Sequence, residues 1–388
     1  MAKTTTTLDP NLELFPILPG FPATERLTGI ARLAAASSPA GEGHRMELRS
    51  LEVRSVLNRS VSPRRLSFVW SINPYRGCEF ACRYCYARYT HEFMELQPED
   101  FERKIFVKQN AAWLLEQELK QVRAGEEIAL GTATDPYQPA ERRARVTESL
   151  LEVLARQRGL RIGLVTKSTL IERDISLLQR VAERNTLVLH LTITTPNAKL
   201  ARLIEPRAPR PDLRLRTVSR LHQAGLRVGV LCSPVLPGIT DTGKALDGMA
   251  KRAKDAGASF FCAQPLFLQP CSKQIYLTFI REQFPALEPM YRQRFDAEAF
   301  VSKTYRNRIE GLVKAVCAKY SLERRDGDAM LTRPAGDAGR QALDWTGSSR
   351  GSLPFSGNET LAWKKTPHSA TPSGPLVTLT HATQVKPL

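Results

Sequence analysis

The reading of this chain turns on Cys78-Glu79-Phe80-Ala81-Cys82-Arg83-Tyr84-Cys85. Its three thiols are separated by three and then two residues, and the aromatic Tyr84 stands just before the last. Cysteines so spaced can bring three thiolates to one small metal site. Iron–sulfur clusters are usually held by four cysteines, so three leave one iron open for substrate or cofactor chemistry. A structural zinc site is the competing reading, with His91 or a distant cysteine completing it, but the chain has no second Cys-x-x-Cys pair. A disulfide fits less well. Seven cysteines in 388 residues is a low, odd number, and no secretory signal accompanies them.

The flanks narrow the reading. The run 68–72 reads as a buried strand, and Asn73-Pro74-Tyr75-Arg76-Gly77 as a turn leading into Cys78. Downstream, a Gly or Asn repeatedly ends a helical pattern just before a short apolar run. Gly125 precedes 128–130, Gly159 precedes 162–165, Asn185 precedes 187–189, Gly225 precedes 228–231 and Gly257 precedes 260–262. Short runs buried on both faces, alternating with amphipathic helices, mean βαβ units and a parallel sheet. Six units make a partial barrel or an open doubly wound sheet, and in both the chemistry belongs at the C-terminal ends of the strands. One helix is expected over about 110–123, with Trp113, Leu114, Leu115, Leu119 and Val122 on its apolar face. Others are expected over 275–284 and 302–320, with 268–271 a loop.

With these flanks the cysteine stretch resembles the signature of radical S-adenosylmethionine (radical SAM) enzymes. Asn-Pro-Tyr-Arg-Gly before Cys78 and Tyr86-Ala87-Arg88 after Cys85 resemble more narrowly the spore photoproduct lyase-like (DNA repair photolyase-like) branch. The likeness runs from about 68 to 320. It implies an α/β fold, a partial (β/α)6 TIM-like barrel with C-terminal helices. It also implies a 4Fe-4S cluster on Cys78, Cys82 and Cys85 in the loop after the first barrel strand. In the implied reaction a reductant such as flavodoxin or ferredoxin supplies one electron. S-adenosylmethionine at the open iron is then cleaved to methionine and a 5′-deoxyadenosyl radical, which takes a hydrogen atom from the substrate.

The candidate cofactor residues follow the strand ends. Tyr84 lies in the cysteine loop. Thr132, Thr134 and Asp135 follow the second strand and Lys167 and Ser168 the third, at positions similar to the family's cofactor contacts. Thr192 and Thr194 share a face of the fourth strand by alternation, where hydroxyls suit a ribose or carboxylate. Arg207, in Glu205-Pro206-Arg207-Ala208-Pro209, offers a guanidinium fork to an anion. Each has a plainer reading: a capping Asp135, a solvated Lys167, threonines as strand formers, Glu205 and Arg207 tying down a loop.

One departure matters. Spore photoproduct lyases carry a hydrogen-donating cysteine in the loop after the second strand. This chain has Thr132 and Thr134 there, and no cysteine between Cys85 and Cys232. Cys232, Cys262 and Cys317 read as buried apolar residues, which leaves Cys271, expected in a polar loop, as the candidate donor. Thymine-dimer repair is therefore not expected, and the substrate stays open.

Hydrophobic residues make up 42% of the chain, enough for a sizeable core. No run approaches the roughly 18 apolar residues of a membrane span, and the first residues lack the apolar core of a signal peptide. A cytoplasmic protein without a membrane partner is expected. The net charge of +17 favours polyanions such as nucleic acid, although arginines spread over solvated helix faces give the same sum. The expected divisions are a disordered segment 1–48, a barrel 49–270, a helical extension 271–325 and a disordered tail 326–388. In that tail Leu331 to Leu388 hold 26 Gly, Pro, Ser or Thr. The functional alternatives are a radical enzyme acting on nucleic acid, one acting on protein or a small molecule, and a non-catalytic zinc or iron–sulfur nucleic-acid-binding module.

Overall fold

The computed structural model describes residues 46–60, 68–296 and 298–325. The segments expected to be disordered lie outside these residues, apart from 46–48, where a strand begins. The strands are β1 (Glu47–Leu51), β2 (Leu57–Arg59), β3 (Trp70–Ile72), β4 (Tyr75–Arg76), β5 (Lys104–Lys108), β6 (Glu127–Leu130), β7 (Arg161–Thr166), β8 (Thr186–Thr192), β9 (Val228–Leu231), β10 (Phe260–Cys262) and β11 (Glu323–Arg324). The main sheet runs β11-β10-β9-β8-β7-β6-β3-β2. Every pair in it is parallel except β2–β3. The six expected strand–helix units, β3 and β6 to β10, are therefore in place and in order. β11 comes from the segment expected to be only helical and extends the sheet beside β10.

The helices are α1 (Tyr89–Glu92), α2 (Ala111–Glu118), α3 (Glu141–Ala144), α4 (Val146–Ala155), α5 (Ile175–Arg184), α6 (Ala198–Ile204), α7 (Pro211–Gln223), α8 (Gly243–Asp255), α9 (Pro270–Gln283), α10 (Glu288–Phe295) and α11 (Lys303–Lys319). Leu150 and Leu154 of α4, Leu178 and Val181 of α5, Val218 and Leu221 of α7 and Met249 of α8 are all buried. They belong to one core with Leu130, Leu164, Leu189, Leu191 and Val230 of the strands. Burying such side chains drives the helices onto the sheet, at about 25 cal/mol per Å² of apolar surface.

The helix stops work in two ways. Gly257 follows α8 with φ +84°, the left-handed conformation that lets a chain leave a helix. Asn185 instead is extended at φ −135°. Its side chain ends α5 by donating to the carbonyls of Leu154, Gln157 and Val181 and accepting from Leu160 N.

Several expectations need correction. The segment before Lys108 contains β5, which pairs parallel with β1 and antiparallel with β4 in a separate three-stranded sheet. Helix α2 buries Leu114 and Leu115, but Trp113 is 64% exposed. At 3.6 residues per turn Trp113 sits about 200° from Leu115, outside the apolar stripe. The expected loop 268–271 is instead where α9 starts. Pro270 suits the first helical position because its missing N–H would have no helical partner there. Cys271 is consequently helical and buried. Helix α10 was not foreseen.

Lys108, at the end of β5, is only 5% exposed. Burial, with Arg76 adding, lowers its pKa to about 7, and Glu118 opposes the shift. Between that value and about 10.5 the unfolded chain holds a proton that the folded one has released, so stability rises with pH across this window. Lys108→Met is expected to stabilise the fold at pH 7 by about 1–3 kcal/mol. Urea denaturation at a series of pH values should show this gain shrinking as pH rises toward 10.

Candidate metal centre

The cysteine loop leaves the C-terminal side of β3 through β4 and is packed from its first residue. Gly77 has φ +82°, and a Cβ there would lie 2.7 Å from Lys104 O and 2.8 Å from Phe101 O. Any side chain would push the loop off β5. Cys78 N then donates to Phe101 O at 2.9 Å. Ala81 is left-handed at φ +54°, a conformation that costs a non-glycine residue roughly 1 kcal/mol or more. Bonds on both sides hold it there: Arg207 N to Phe80 O and Arg83 N to Ile204 O, at 3.4 and 2.9 Å.

Side chains bond several of the loop's buried backbone groups and tie it to the segment after β6. Gln138 donates to Gly77 O at 3.1 Å and accepts from Glu79 N at 2.9 Å. Glu79 accepts from Ala140 N at 2.5 Å. Arg88, fully buried, donates to Cys82 O and Pro98 O and pairs with Glu102. Asn73 accepts from Ala133 N and Thr134 N at 2.8 and 3.3 Å. The sequence reading gave none of these four a role at the site. The available signal was the placement of polar residues beside the cysteines and in the loop after β6.

Cys78 and Cys82 are buried and Cys85 is half-buried. Burial pushes all three thiols up. Cys78 rises far, with Asp135, Cys82 and Cys85 adding repulsion, and Cys82 reaches about 12 with Lys167 opposing. Three mutually repelling thiolates in a buried loop are a donor set that a cationic centre stabilises, because its charge favours the deprotonated sulfur. A single zinc ion needs its ligands to converge on one point. Among the described residues no three His, Cys, Asp or Glu side chains do so. His91 is engaged elsewhere: its Nε2 lies 3.0 Å from Lys104 O, and its ring packs against Phe101 and Phe106. A multi-iron cluster can take each thiolate on a different iron and so does not need them to converge on one point, and three buried thiols close enough to repel one another fit such a cationic group.

The candidate cofactor residues separate into two kinds. Some have spent their polar atoms on the protein. Asp135 accepts from Thr166 Oγ1 at 2.6 Å, Lys167 N at 2.7 Å and Tyr137 N at 3.0 Å, tying the ends of β6 and β7. Ser168 accepts from Leu170 N. Thr192 gives its backbone carbonyl to Arg214, a bond that leaves its hydroxyl out of this group. Arg207 donates to Glu102 O at 3.1 Å and, more weakly, to Glu79 O at 3.5 Å, so its guanidinium clamps the loop. Thr132 is held through its carbonyl, which accepts from Tyr86 OH, and its Oγ1, 3.5 Å from Asn73 Nδ2.

Others are unspent. The Thr134 hydroxyl is buried with no partner among the described residues. The Lys167 ammonium lies 5.9 Å from the centre of the Tyr84 ring. Burial works against its charge, but Cys82, Glu205 and Asp135 together raise its pKa.

Beneath them is one buried node. Tyr84 OH donates to Glu205, and Thr194 donates to the same oxygen at 2.8 Å. Arg214 pairs with the other carboxylate oxygen at 2.6 Å, and both side chains are 1% exposed. Burial alone would raise the Glu205 pKa, but Arg214 and Lys167 hold it low. Two further thiols border the site. Cys232, buried in the core as read, also donates to Thr194 O at 3.5 Å. Cys271, in the first turn of α9, lies 3.6 Å from Tyr86 O, and burial pushes it to about 12 with Glu92 and Cys85 adding.

Comparison with known proteins gives concordant findings. Residues 72–246 match the family model of the Radical SAM superfamily. An uncharacterized protein of Mycobacterium tuberculosis, Rv2578c, is 33% identical over 271 residues, covering 69% of this chain and 79% of that protein. An uncharacterized protein of Methanocaldococcus jannaschii, MJ0683, is 28% identical over 170 residues, covering 44% and 61%. Among solved structures, a cysteine-to-serine variant of spore photoproduct lyase superposes with a TM-score of 0.55 at 16% identity, covering 80% of this chain and 87% of that one. A double variant of the same lyase, with bound AdoMet and dinucleoside spore photoproduct, gives 0.54 at 15% identity over the same shares.

The Glu205–Arg214 pair gives the site a measurable signature. Removing one partner strands a buried charge, so Glu205→Leu or Arg214→Leu alone is expected to cost about 3–5 kcal/mol in chemical denaturation. The double replacement is expected to cost less than either single one.

Proposed function

Because the chain belongs to the radical SAM superfamily, we propose that Cys78, Cys82 and Cys85 hold a 4Fe-4S cluster and that the barrel mouth binds S-adenosylmethionine beside it. The observation that carries this reading is the set of three thiols on one braced loop at the C-terminal end of the first barrel strand, next to an unspent hydroxyl and ammonium. When bound and reduced by one electron, the two groups supply a 5′-deoxyadenosyl radical that takes a hydrogen atom from the substrate.

The chain's own residues would then act as follows. Lys167 would pair with the carboxylate of the methionine moiety, and Thr134 would offer its hydroxyl to a cofactor polar group. Asp135 fixes the backbone at Lys167, so the ammonium starts from a rigid base. Tyr84 supplies the ring beneath that ammonium, oriented by its bond to Glu205. Phe80, Leu236, Leu266, Leu268 and Tyr276 pack as an apolar wall with the loop. Such a wall keeps water from a reactive intermediate.

For the substrate we favour nucleic acid. The chain carries +17. A row of half-buried rings, Tyr86–Phe267 at 5.1 Å and Phe267–Phe300 at 5.4 Å, follows the loop and the last barrel strand and suits stacking on a base. Thymine-dimer repair by the lyase route is not proposed, since Thr132 and Thr134 occupy the loop after β6. Cys271 beside Tyr86 is the thiol we assign to any hydrogen return.

Anaerobic reconstitution is expected to give roughly four irons per chain, with dithionite-dependent release of 5′-deoxyadenosine. Replacing Cys78, Cys82 and Cys85 together by Ser should remove the visible absorption. Zinc alone, with no 5′-deoxyadenosine, would refute the radical reading in favour of a binding module. Lys167→Met should weaken S-adenosylmethionine binding about 10- to 100-fold, the worth of one charged hydrogen bond. Single-stranded DNA affinity should fall steeply between about 50 and 200 mM salt, and affinity independent of salt would point to another substrate class.

A further inference from the structure

β1 forms one edge of the small sheet β1-β5-β4, and no described strand lies beyond it. Its pairing with β5 fixes which way its backbone groups point. Glu47 N donates to Arg103 O at 2.8 Å, and Leu51 O accepts from Gln109 N at 3.2 Å. Glu47, Arg49 and Leu51 therefore turn their N–H and C=O groups to β5, while Met46, Leu48 and Ser50 turn theirs outward. Glu47, Leu48, Arg49 and Ser50 are all exposed. Leu48 stands opposite Ile105 on one face of the sheet, yet it is 45% exposed where Ile105 is fully buried. The strand lacks the usual guards against pairing, since it has no Pro, no Lys and no single-sign charge. Its charges, Glu47 and Arg49, flank Leu48 and pair with each other along the strand.

We propose that this edge is a homodimer interface, in which β1 pairs antiparallel with β1 of a second copy about a two-fold axis at Leu48. In that register the two Leu48 residues exchange N–H···O bonds, and each Met46 does so with Ser50 of the other copy. Glu47 faces Arg49 of the second copy at the positions without backbone bonds, where side chains approach most closely. The two Leu48 side chains lie side by side, so the apolar pair Ile105–Leu48 continues into its symmetry mate. Moving the axis to Glu47 or to Arg49 would set like charges face to face and lose both ion pairs. The order Glu-Leu-Arg thus selects one register. The patch is self-complementary, as a two-fold interface requires. β4 of this sheet runs into Gly77 and Cys78, and Cys78 N is bonded to Phe101 O just before β5. Pairing at β1 therefore extends the sheet that braces the cysteine loop.

The test is sedimentation velocity of the full chain from low- to high-micromolar protein. A thiol reductant is present, so that no intermolecular disulfide contributes. The wild type is expected to pass from monomer to dimer as concentration rises. Glu47→Arg and Arg49→Glu each leave the edge with charge of one sign, and each alone should raise the dimer dissociation constant at least about tenfold. An equimolar mixture of the two variants should recover the dimer, because every facing pair is then opposite in sign. Both side chains are exposed, so thermal melting of each variant should match that of the wild-type monomer. Leu48→Pro removes an outward N–H, leaves the bonds to β5 in place and should abolish the dimer.

A wild type that stays monomeric throughout overturns the proposal. A dimer that survives both single reversals also overturns it, because the contact is then built on another surface. So does a mixture of the two variants that stays monomeric, since the register centred on Leu48 is then wrong.

Discussion

The structure depends on one buried carboxylate. Glu205 receives Tyr84 from the cysteine loop, Thr194 from beyond β8 and Arg214 from α7. Arg214 in turn donates to Thr192 O and Pro209 O at 2.9 and 2.7 Å. Loop, strand end and helix are thus tied at one point. A charge so deeply buried is tolerable only with its lone pairs engaged and its counter-charge in contact. Satisfying Glu205 therefore fixes three elements relative to one another. Fold stability and the placement of the site then share the same bonds, and the site cannot loosen without disturbing the barrel.

The same logic governs the loop. A connection of this length ordinarily runs over the surface, where water satisfies its backbone. This one is buried because its cysteines face inward, so protein groups must replace the water. Gln138, Arg88 and Arg207 do so, reaching in from the turn after β6, the segment after Cys85 and the segment after α6. Ala81 can stay left-handed because its neighbours on both sides are bonded. Because Gln138 and Arg207 are far from the cysteines in sequence, the thiol positions are a property of the whole barrel rather than of eight residues.

This explains which features could be read from the chain alone. The strands at 128–130, 162–165, 228–231 and 260–262 were legible because burial on both faces leaves a continuous apolar run, and each is bracketed by a helix stop. The thiols were legible because their spacing is local. β5 was not, since Lys104-Ile105-Phe106-Val107-Lys108 pairs with β1 across a long separation and its charged ends hide a short apolar centre. Cys271 was misplaced because a polar stretch containing Pro read as a loop, whereas the same Pro opens α9. Glu205 was read correctly as a tie, but its partners Tyr84 and Arg214 belong to different elements. No periodicity reports such a contact.

The division between spent and unspent polar groups locates the functional surface more sharply than residue type does. Asp135, Ser168 and Arg207 carry the same chemistry as typical ligand contacts, yet their polar atoms already serve the backbone. Recruiting them for a cofactor would cost the bonds they make. Thr134 faces no such competition, since a buried hydroxyl left unpaired is a standing cost of roughly 1–3 kcal/mol, and the half-buried Lys167 ammonium lies over the Tyr84 ring. A fold keeps such a group where something else completes it. The criterion is not sufficient alone, because the Tyr89 hydroxyl is also buried without a partner. Position supplies the second condition. Thr134 and Lys167 follow adjacent strands, β6 and β7, on the side where the cysteine loop leaves β3. In a parallel α/β sheet that side is where loops from successive strands converge. Groups that are both unspent and at the strand ends mark where a ligand would repay the structure for holding them ready.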